Sequence, residues 1–129
     1  MKIYLNPESL AHNPAFTQVV VVEAPAKTIY VGGQNAVTAD GNIVGDTLSE
    51  QTRQAVHNVG AALTAAGARL ADVVRWTVAI VEGQPIAEGF AAFREAWGDA
   101  ADPPAISVYV VSGLANPRFL VEVDAIAAV

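Results

Sequence analysis

The sequence predicts a single α+β domain in which two helices cover one face of a mostly antiparallel β-sheet. Two segments carry apolar residues at the 3.6-residue spacing of an amphipathic helix, and several short runs rich in β-branched residues suit strands. The length of 129 residues allows one compact core. Two one-sided helices need a common sheet face to cover them. Because no linker, repeat or low-complexity stretch interrupts the sequence, we expect residues 1–129 to form one domain.

The expected elements follow the order β-β-α-β-α-β-β, with a short additional strand at residues 3–5. The main strands are expected at residues 17–22, 27–33, 73–81, 105–111 and 119–128. Strand side chains alternate between two faces, so the strand at 73–81 should direct one apolar set toward the helices. That set consists of Val74, Trp76, Val78 and Ile80. In the last strand, Glu122, Asp124 and Ile126 form a mixed face, which suits a surface between subunits better than open water.

Both helices have recognisable ends. Thr47 and Glu50 have the spacing of a capping box at the start of the first helix, and Gly67 stands where a left-handed cap would end it. The second helix should begin after Pro85 and end at Gly98. The apolar stripes consist of Leu48, Val56, Val59, Leu63 and Ala66 in the first helix and of Ile86, Phe90, Phe93 and Trp97 in the second.

The composition is apolar for a domain of this size. Hydrophobic residues make up 53% of the chain and charged residues 16%, and the mean hydropathy is +0.36. A small monomer would struggle to bury that much apolar surface, so we expect burial between subunits. The apolar runs are shorter than the roughly 20 residues of a membrane-spanning helix, and residues 1–7 lack an apolar signal core. We therefore expect a cytoplasmic protein with no membrane partner.

Several classes of site are excluded. The chain has no cysteine, and its two histidines, His12 and His57, are far apart in sequence, so we expect no metal. No phosphate-binding loop is present, since the glycine pair at Gly32 and Gly33 lacks the lysine and the spacing; we expect no cofactor. The formal net charge of −6 argues against nucleic acid as a partner.

Four segments of the chain carry a family resemblance. They are IYVGGQ at residues 29–34, QTRQAVHNV at 51–59, PAIS at 104–107 and VEVDAIA at 121–127. In this order and spacing they resemble the Rid family, the YjgF-type reactive-intermediate deaminases, over nearly the whole chain. The resemblance implies the α+β fold that Rid proteins share with chorismate mutase. It also implies a homotrimer whose sheets face inward and a small-molecule ligand in the clefts between subunits.

The resemblance also implies which positions form the site. In the family, an arginine holds the substrate carboxylate as a bidentate pair, and a glutamate on the last strand positions the water that attacks an imine carbon. The glutamate corresponds to Glu122, which is the expected catalytic residue. Phe16 corresponds to an N-terminal aromatic residue of the family, Phe90 lies near the position of a family asparagine on the second helix, and Ile106 corresponds to the family's arginine. The expected substrate-binding positions are Phe16, Gly32, Gly33, Phe90, Ala105, Ile106 and Arg118.

Ile106 is the departure that matters most, because it replaces the arginine. We therefore expect poor deamination of ordinary 2-imino acids, unless Arg75 or Arg118 supplies the missing cation. The first hypothesis is a cofactor-free hydrolase of a small imine, enamine or related metabolite, with Glu122 orienting water. The alternative is a trimer that binds a small molecule without turnover, and a third hypothesis is a structural or interaction protein.

Several of these positions also have a purely structural interpretation. Glu122 is equally compatible with a carboxylate that pairs with Arg75 and holds subunits together. Phe90 lies on the apolar stripe of its helix, which favours core packing over ligand contact. Ile106 alternates with Val108 and Val110, as a residue of an ordinary buried strand does.

Overall fold

A computed structural model describes residues 1–98 and 102–129. In chain order the strands and helices are β1 (Lys2–Leu5), β2 (Val19–Val22), β3 (Thr28–Gln34), α1 (Leu48–Ala65), β4 (Val73–Val81), α2 (Ile86–Trp97), β5 (Ala105–Val111) and β6 (Val121–Ala128). A 3-10 turn at Leu70–Asp72 precedes β4. The predicted element order, including the short first strand, is confirmed.

The strands form two sheets. The larger sheet has the order β3-β6-β4-β5, in which β4 and β5 are parallel and the other pairs are antiparallel. The parallel pair is possible because α2 provides the crossover between β4 and β5. β1 and β2 form a separate antiparallel pair. The predicted α+β class with a mostly antiparallel sheet is therefore confirmed. The strand expected at residues 17–22 lies outside the larger sheet as β2, which is mostly half-buried.

The ends of α1 follow the predicted pattern. The Thr47 side chain accepts the N–H of Glu50 at 3.2 Å, which satisfies one of the free donors at the start of the helix. Gly67 has φ +76°, a conformation that glycine adopts without steric cost. The stripe residues Leu48, Val56, Val59 and Leu63 are all buried. Ala66 is half-buried at the end of the helix.

One prediction about β4 is wrong in detail. Val74 was expected on the helix-covered face, but it is half-buried while Val73 is 3% exposed. The pairing of β4 with β6 shifts between Val73 and Arg75, as it does at a β-bulge. The extra residue changes the alternation of side chains, so that Val73 joins Trp76 on the helix-covered face.

Gln51 fixes the start of β6 against α1. Its side chain is 2% exposed, and its Nε2 donates to the carbonyls of Gly45 at 3.1 Å and Arg118 at 3.0 Å. Its Oε1 accepts the N–H of Leu120 at 2.9 Å. These bonds satisfy the buried amide and set the position of the strand that carries Glu122.

Neither helix in the described part of the chain has the length and hydropathy that a membrane crossing requires.

The two helices approach closely at Gly89, which yields a test of the packing. A Cβ added to Gly89 would lie 2.8 Å from Cγ of the buried Leu48, so Gly89→Ala should destabilise the protein by about 1–3 kcal/mol through overpacking. Gly60, in the middle of α1, is the matched control. A Cβ there would meet Leu70 at an ordinary 3.7 Å, so Gly60→Ala should stabilise by up to about 1 kcal/mol through helix propensity. Urea unfolding midpoints at equal protein concentration measure both, and a Gly89→Ala variant as stable as the native protein contradicts the packing described.

Candidate functional site

The two faces of the larger sheet differ in chemistry. Residues paired across neighbouring strands lie on the same face. Trp76 pairs with Ile106 and Ala125, and this face is covered by the helices. The opposite face, which we call the helix-free face, carries Arg75 and Thr77 of β4, Ser107 of β5, and Glu122 and Asp124 of β6. These five side chains are half-buried, so the helix-free face is polar and only partly exposed.

Glu122 lies directly against Gly33. A Cβ added to Gly33 would be 2.8 Å from both Cδ and Oε2 of Glu122, so the carboxylate occupies the space of the missing side chain. The β3–β6 pairing shifts between Val31 and Gln34, which places the two glycines in an irregular stretch of β3. A Cβ added to Gly32 would meet nothing within 4 Å. The structure therefore brings Glu122 and Gly33 into contact, and Gly32 lies beside them.

Arg75 does not pair with Glu122 within the chain. Its Nη2 donates to Ser107 Oγ at 2.9 Å. Arg75 pairs with Ile126 in β6, whereas Glu122 pairs with Ala79; at about 3.3 Å per residue, this separates them by about 13 Å along the strand. The two side chains therefore do not pair within one subunit, and a Glu122–Arg75 pair between subunits stays a prediction. Among the residues that the structure describes, the Glu122 carboxylate has no hydrogen-bond or ion-pair partner.

Ile106 and Phe90 belong to the other side of the sheet. Both are half-buried and pack against the core, and they line a small pocket between the helices and the sheet. We call it the Thr52 pocket; it is formed mainly by Thr52, Ile86, Phe90, Phe93, Ile106 and Val108. Its cavity volume is about 30 Å³. Because the sheet lies between them, one chain does not bring Ile106 or Phe90 together with Glu122.

Thr52 is a residue that the sequence analysis missed. It is 2% exposed, and its Oγ1 has no hydrogen-bond partner among the described residues. A signal was present, since Thr52 lies four residues after Leu48 and four before Val56, on the buried stripe of α1. A buried hydroxyl without a partner is uncommon, and this one belongs to a residue that lines the pocket.

Phe16 lies in the segment before β2, close to the residues that precede β5. The next residue, Thr17, donates its N–H to the carbonyl of Pro104 at 3.0 Å. Phe16 is half-buried and lines a surface cleft that also contains Tyr4 and Asp102. Burial, followed by the Asp102 and Asp72 carboxylates, raises the pKa of Tyr4, so this cleft contains a protonated phenol beside Phe16.

The remaining predicted positions lie apart from these groups. Ala105 pairs with Arg75 and is half-buried at the beginning of β5. Arg118 has an exposed side chain in the loop before β6. Its contacts are made by the main chain: its carbonyl accepts from Gln51, and its N–H donates to Asn116 Oδ1 at 2.9 Å. Within residues 1–98 and 102–129, no three His, Asp or Glu side chains are grouped so as to hold a metal ion.

Comparison with known proteins gives consistent matches. The sequence profile of the family described as endoribonuclease L-PSP matches residues 7–129. The 2-iminobutanoate/2-iminopropanoate deaminase of Rattus norvegicus is 36% identical over 69 residues, which cover 53% of this chain and only 48% of the rat protein. The protein mmf2, mitochondrial, of Schizosaccharomyces pombe is 29% identical over 131 residues, or 98% of each chain.

Among solved structures, a protein of unknown function of the conserved Rid protein family, YyfB from Yersinia pestis, superposes with a TM-score of 0.88. It is 33% identical, and the superposition covers 99% of this chain and 98% of that one. The resemblance carried by the four sequence segments is thereby confirmed. With the profile match extending over 7–129 and the fold shared from end to end, the chain belongs to the endoribonuclease L-PSP family, which is the YjgF/Rid family.

Proposed function

We propose that the protein is a cofactor-free hydrolase of small imines or enamines that works in clefts between the subunits of a homotrimer. The observation that carries the proposal is the Glu122 carboxylate, which lies against Gly33 on the helix-free face and has no partner within residues 1–98 and 102–129. In the reaction, water adds to the C=N carbon, the C–N bond breaks, and a carbonyl compound and ammonia leave. The deaminase activity in the name of the rat relative supports this reaction type.

Glu122 has the properties that such a step requires. A carboxylate without a structural partner is free to accept a hydrogen bond from water and to orient it toward an imine carbon. It can also take a proton from that water as the new C–O bond forms. Main-chain groups at Gly33, beside the carboxylate, and at Ala105 are the proposed contacts for the substrate.

The arrangement of the site supports a role for the subunit interface. Glu122 and the Thr52 pocket lie on opposite faces of one sheet, so only a second copy of the chain can place a Glu122 beside such a pocket. The edge strands also expose apolar surface: Tyr30 of β3 is 77% exposed, and Tyr109 and Val110 of β5 are each 56% exposed. Exposed apolar groups of this size suit burial between subunits.

A small molecule fits this protein better than a nucleic acid does. The net charge of −6 is unfavourable for binding a polyanion, although the family description contains the word endoribonuclease. The cytoplasm stays the proposed compartment on sequence grounds alone.

A non-catalytic binding protein is the second candidate. The observation in its favour is the character of the Thr52 pocket, where Ile106 leaves an apolar wall and no cation. Arg75, one of the two arginines that were expected to supply a cation, donates a hydrogen bond to Ser107 instead. Turnover distinguishes the two candidates, because a binding protein would hold the ligand without accelerating ammonia release above the spontaneous hydrolysis of the imine.

Ammonia release tests the role of Glu122. The substrate is the aldimine that an amine oxidase generates from isobutylamine. Glu122→Gln should lower kcat/KM about 100-fold or more, since it removes the proton acceptor. Gly33→Ala should lower it at least about tenfold, because the new Cβ would displace the carboxylate. Gly113→Ala, in the exposed loop between β5 and β6 and with open space at its Cβ, is the matched control and should stay within about twofold of the native protein. If Gly33→Ala and Gly113→Ala behave alike, the Glu122–Gly33 contact has no part in the reaction.

Ile106→Arg tests the missing cation. The matched substrate is the 2-imino acid that an amino acid oxidase generates from valine. The variant should raise kcat/KM for this anionic substrate about tenfold or more relative to the neutral aldimine, because the guanidinium adds a charge-assisted contact. Ile106→Met, which adds no charge, should not change the ratio.

The thermal unfolding midpoint of Ile106→Arg is measured together with the rates, since a buried unpaired arginine would destabilise the protein. A native protein that already prefers the 2-imino acid would show that Ile106 does not set the specificity.

The assembly is tested directly by sedimentation equilibrium at micromolar concentration. The expected mass is three times the 13.4 kDa of the chain, because the exposed edge strands supply apolar surface for association. Tyr109→Asp, on the exposed edge strand, should shift the population toward monomer, whereas Ala61→Asp on the exposed surface of α1 should not. A native protein sedimenting at 13.4 kDa would remove the proposed intersubunit cleft.

A further inference from the structure

The Thr52 pocket combines an apolar wall with one unsatisfied hydroxyl. Threonine in a helix commonly bonds to the carbonyl four residues earlier, yet Thr52 Oγ1 has no partner among the described residues. Its side chain is 2% exposed and lines the pocket. Leaving a buried hydroxyl unpaired is destabilising, so a ligand atom that bonds to it would relieve this cost.

The size of the pocket limits what can enter. A cavity of about 10–15 Å³ holds one water molecule, and the volume here is about 30 Å³. That leaves room for a group of about two or three non-hydrogen atoms. Ile86 and Val108 line the pocket and are each 45% exposed, so the entrance lies between the start of α2 and the edge strand β5. The rest of a ligand would remain outside, in the cleft.

The lining also limits the charge of that group. Among the described side chains that form the pocket, Thr52 alone is polar, and the walls are aliphatic or aromatic. A carboxylate in this position would lose its water without gaining a cation, which is strongly unfavourable. A neutral amide, imine or hydroxyl group loses far less and gains the bond to Thr52.

We propose that the Thr52 pocket determines the substrate class: it takes a small neutral group, binds that group through the Thr52 hydroxyl, and rejects a carboxylate. The proposal rests on the proposed function in one respect, namely that the pocket opens into the substrate cleft. The proposal attributes the choice of substrate to the uncharged pocket lining and to Thr52. Binding measurements alone can therefore test it, without any measurement of turnover.

Isobutyramide and isobutyrate are suitable probes, because they share one carbon skeleton and differ in charge. Titration calorimetry on the native protein should give a dissociation constant at least about 30-fold lower for isobutyramide, since only the carboxylate would be buried unpaired. Thr52→Val, which keeps the shape and removes the hydroxyl, should weaken isobutyramide binding about threefold to tenfold. Thr52→Ser, which keeps the hydroxyl, should bind within about twofold of the native protein.

A threonine outside the pocket provides the control. Thr64, also on α1, is exposed, and its Oγ1 donates to the carbonyl of Gly60 at 3.0 Å. Thr64→Val should leave isobutyramide binding unchanged. The thermal midpoint of Thr52→Val should be equal to or above that of the native protein, because the change removes an unpaired buried hydroxyl. A purely structural role for Thr52 would alter the midpoint but not the ratio of the two affinities.

The outcomes separate this inference from the proposed function. Equal binding of the two probes, or isobutyramide binding that Thr52→Val does not weaken, overturns the inference even if the protein hydrolyses imines. Selective binding of isobutyramide that depends on Thr52, in a protein that releases no ammonia from the aldimine, supports the inference and removes the enzymatic function. Absence of any binding to either probe at millimolar concentration overturns the inference as well.

Discussion

Side-chain alternation across the larger sheet is the constraint on which the proposed site depends. The helices cover the face that carries Trp76, Ile106 and Ala125, and burial of that face holds the two layers together. Every second residue is then directed to the other face, where Glu122 lies. A shift of one residue in β6 would exchange Glu122 with the buried Val121 or Val123. The apolar core thus fixes where the carboxylate stands.

The same constraint means that one subunit does not bring the Thr52 pocket and Glu122 together. The pocket at Ile106 is part of the layer between sheet and helices, whereas the carboxylate is on the far side of the sheet. No rotation of side chains can bring the two together through a packed sheet. A cleft that uses both needs the helix-free face of one copy near the pocket entrance of another, so catalysis and assembly are linked in the proposed function.

Two neighbouring residues of α1 show how structural and ligand-directed polar groups differ. Gln51 and Thr52 are each 2% exposed. The amide of Gln51 makes three hydrogen bonds to main-chain groups, which accounts fully for its burial. The hydroxyl of Thr52 makes none among the described residues. Gln51 therefore positions the start of β6. The hydroxyl of Thr52 remains available for a hydrogen bond with a ligand, as we propose.

Much of the fold follows from local sequence signals. Three local patterns were sufficient to predict α1 and β4, because each lies within a short stretch of sequence. They are the capping pair Thr47 and Glu50, the apolar stripe of α1 and the β-branched run of β4. The bulge at Val74 was not predictable, since it depends on pairing with β6, more than 40 residues away. The local pattern also does not show that β2 pairs with β1, outside the larger sheet.

The site was predictable only in part. The resemblance identified Glu122 and Gly33, and the structure places them in contact. The resemblance could not show that Ile106 and Phe90 lie on the opposite face of the sheet from Glu122. Matching sequence positions does not reveal which face each side chain occupies. Thr52 lay within the segment QTRQAVHNV, but burial without a partner is a property of the folded chain alone.

In the proposed site, Ile106 stands where the resemblance implies an arginine, and this difference changes how such a site can discriminate. An arginine selects an anion by attraction, and the bidentate pair also fixes its orientation. An apolar wall selects by exclusion, since the cost of burying an unpaired charge falls on every anionic competitor. Orientation must then come from a different group, and a single hydroxyl at the floor of a narrow pocket can provide it. In the proposed site, Thr52 and Ile106 therefore act together: the isoleucine provides no attraction for carboxylates, and the threonine supplies the directional contact that a guanidinium would give.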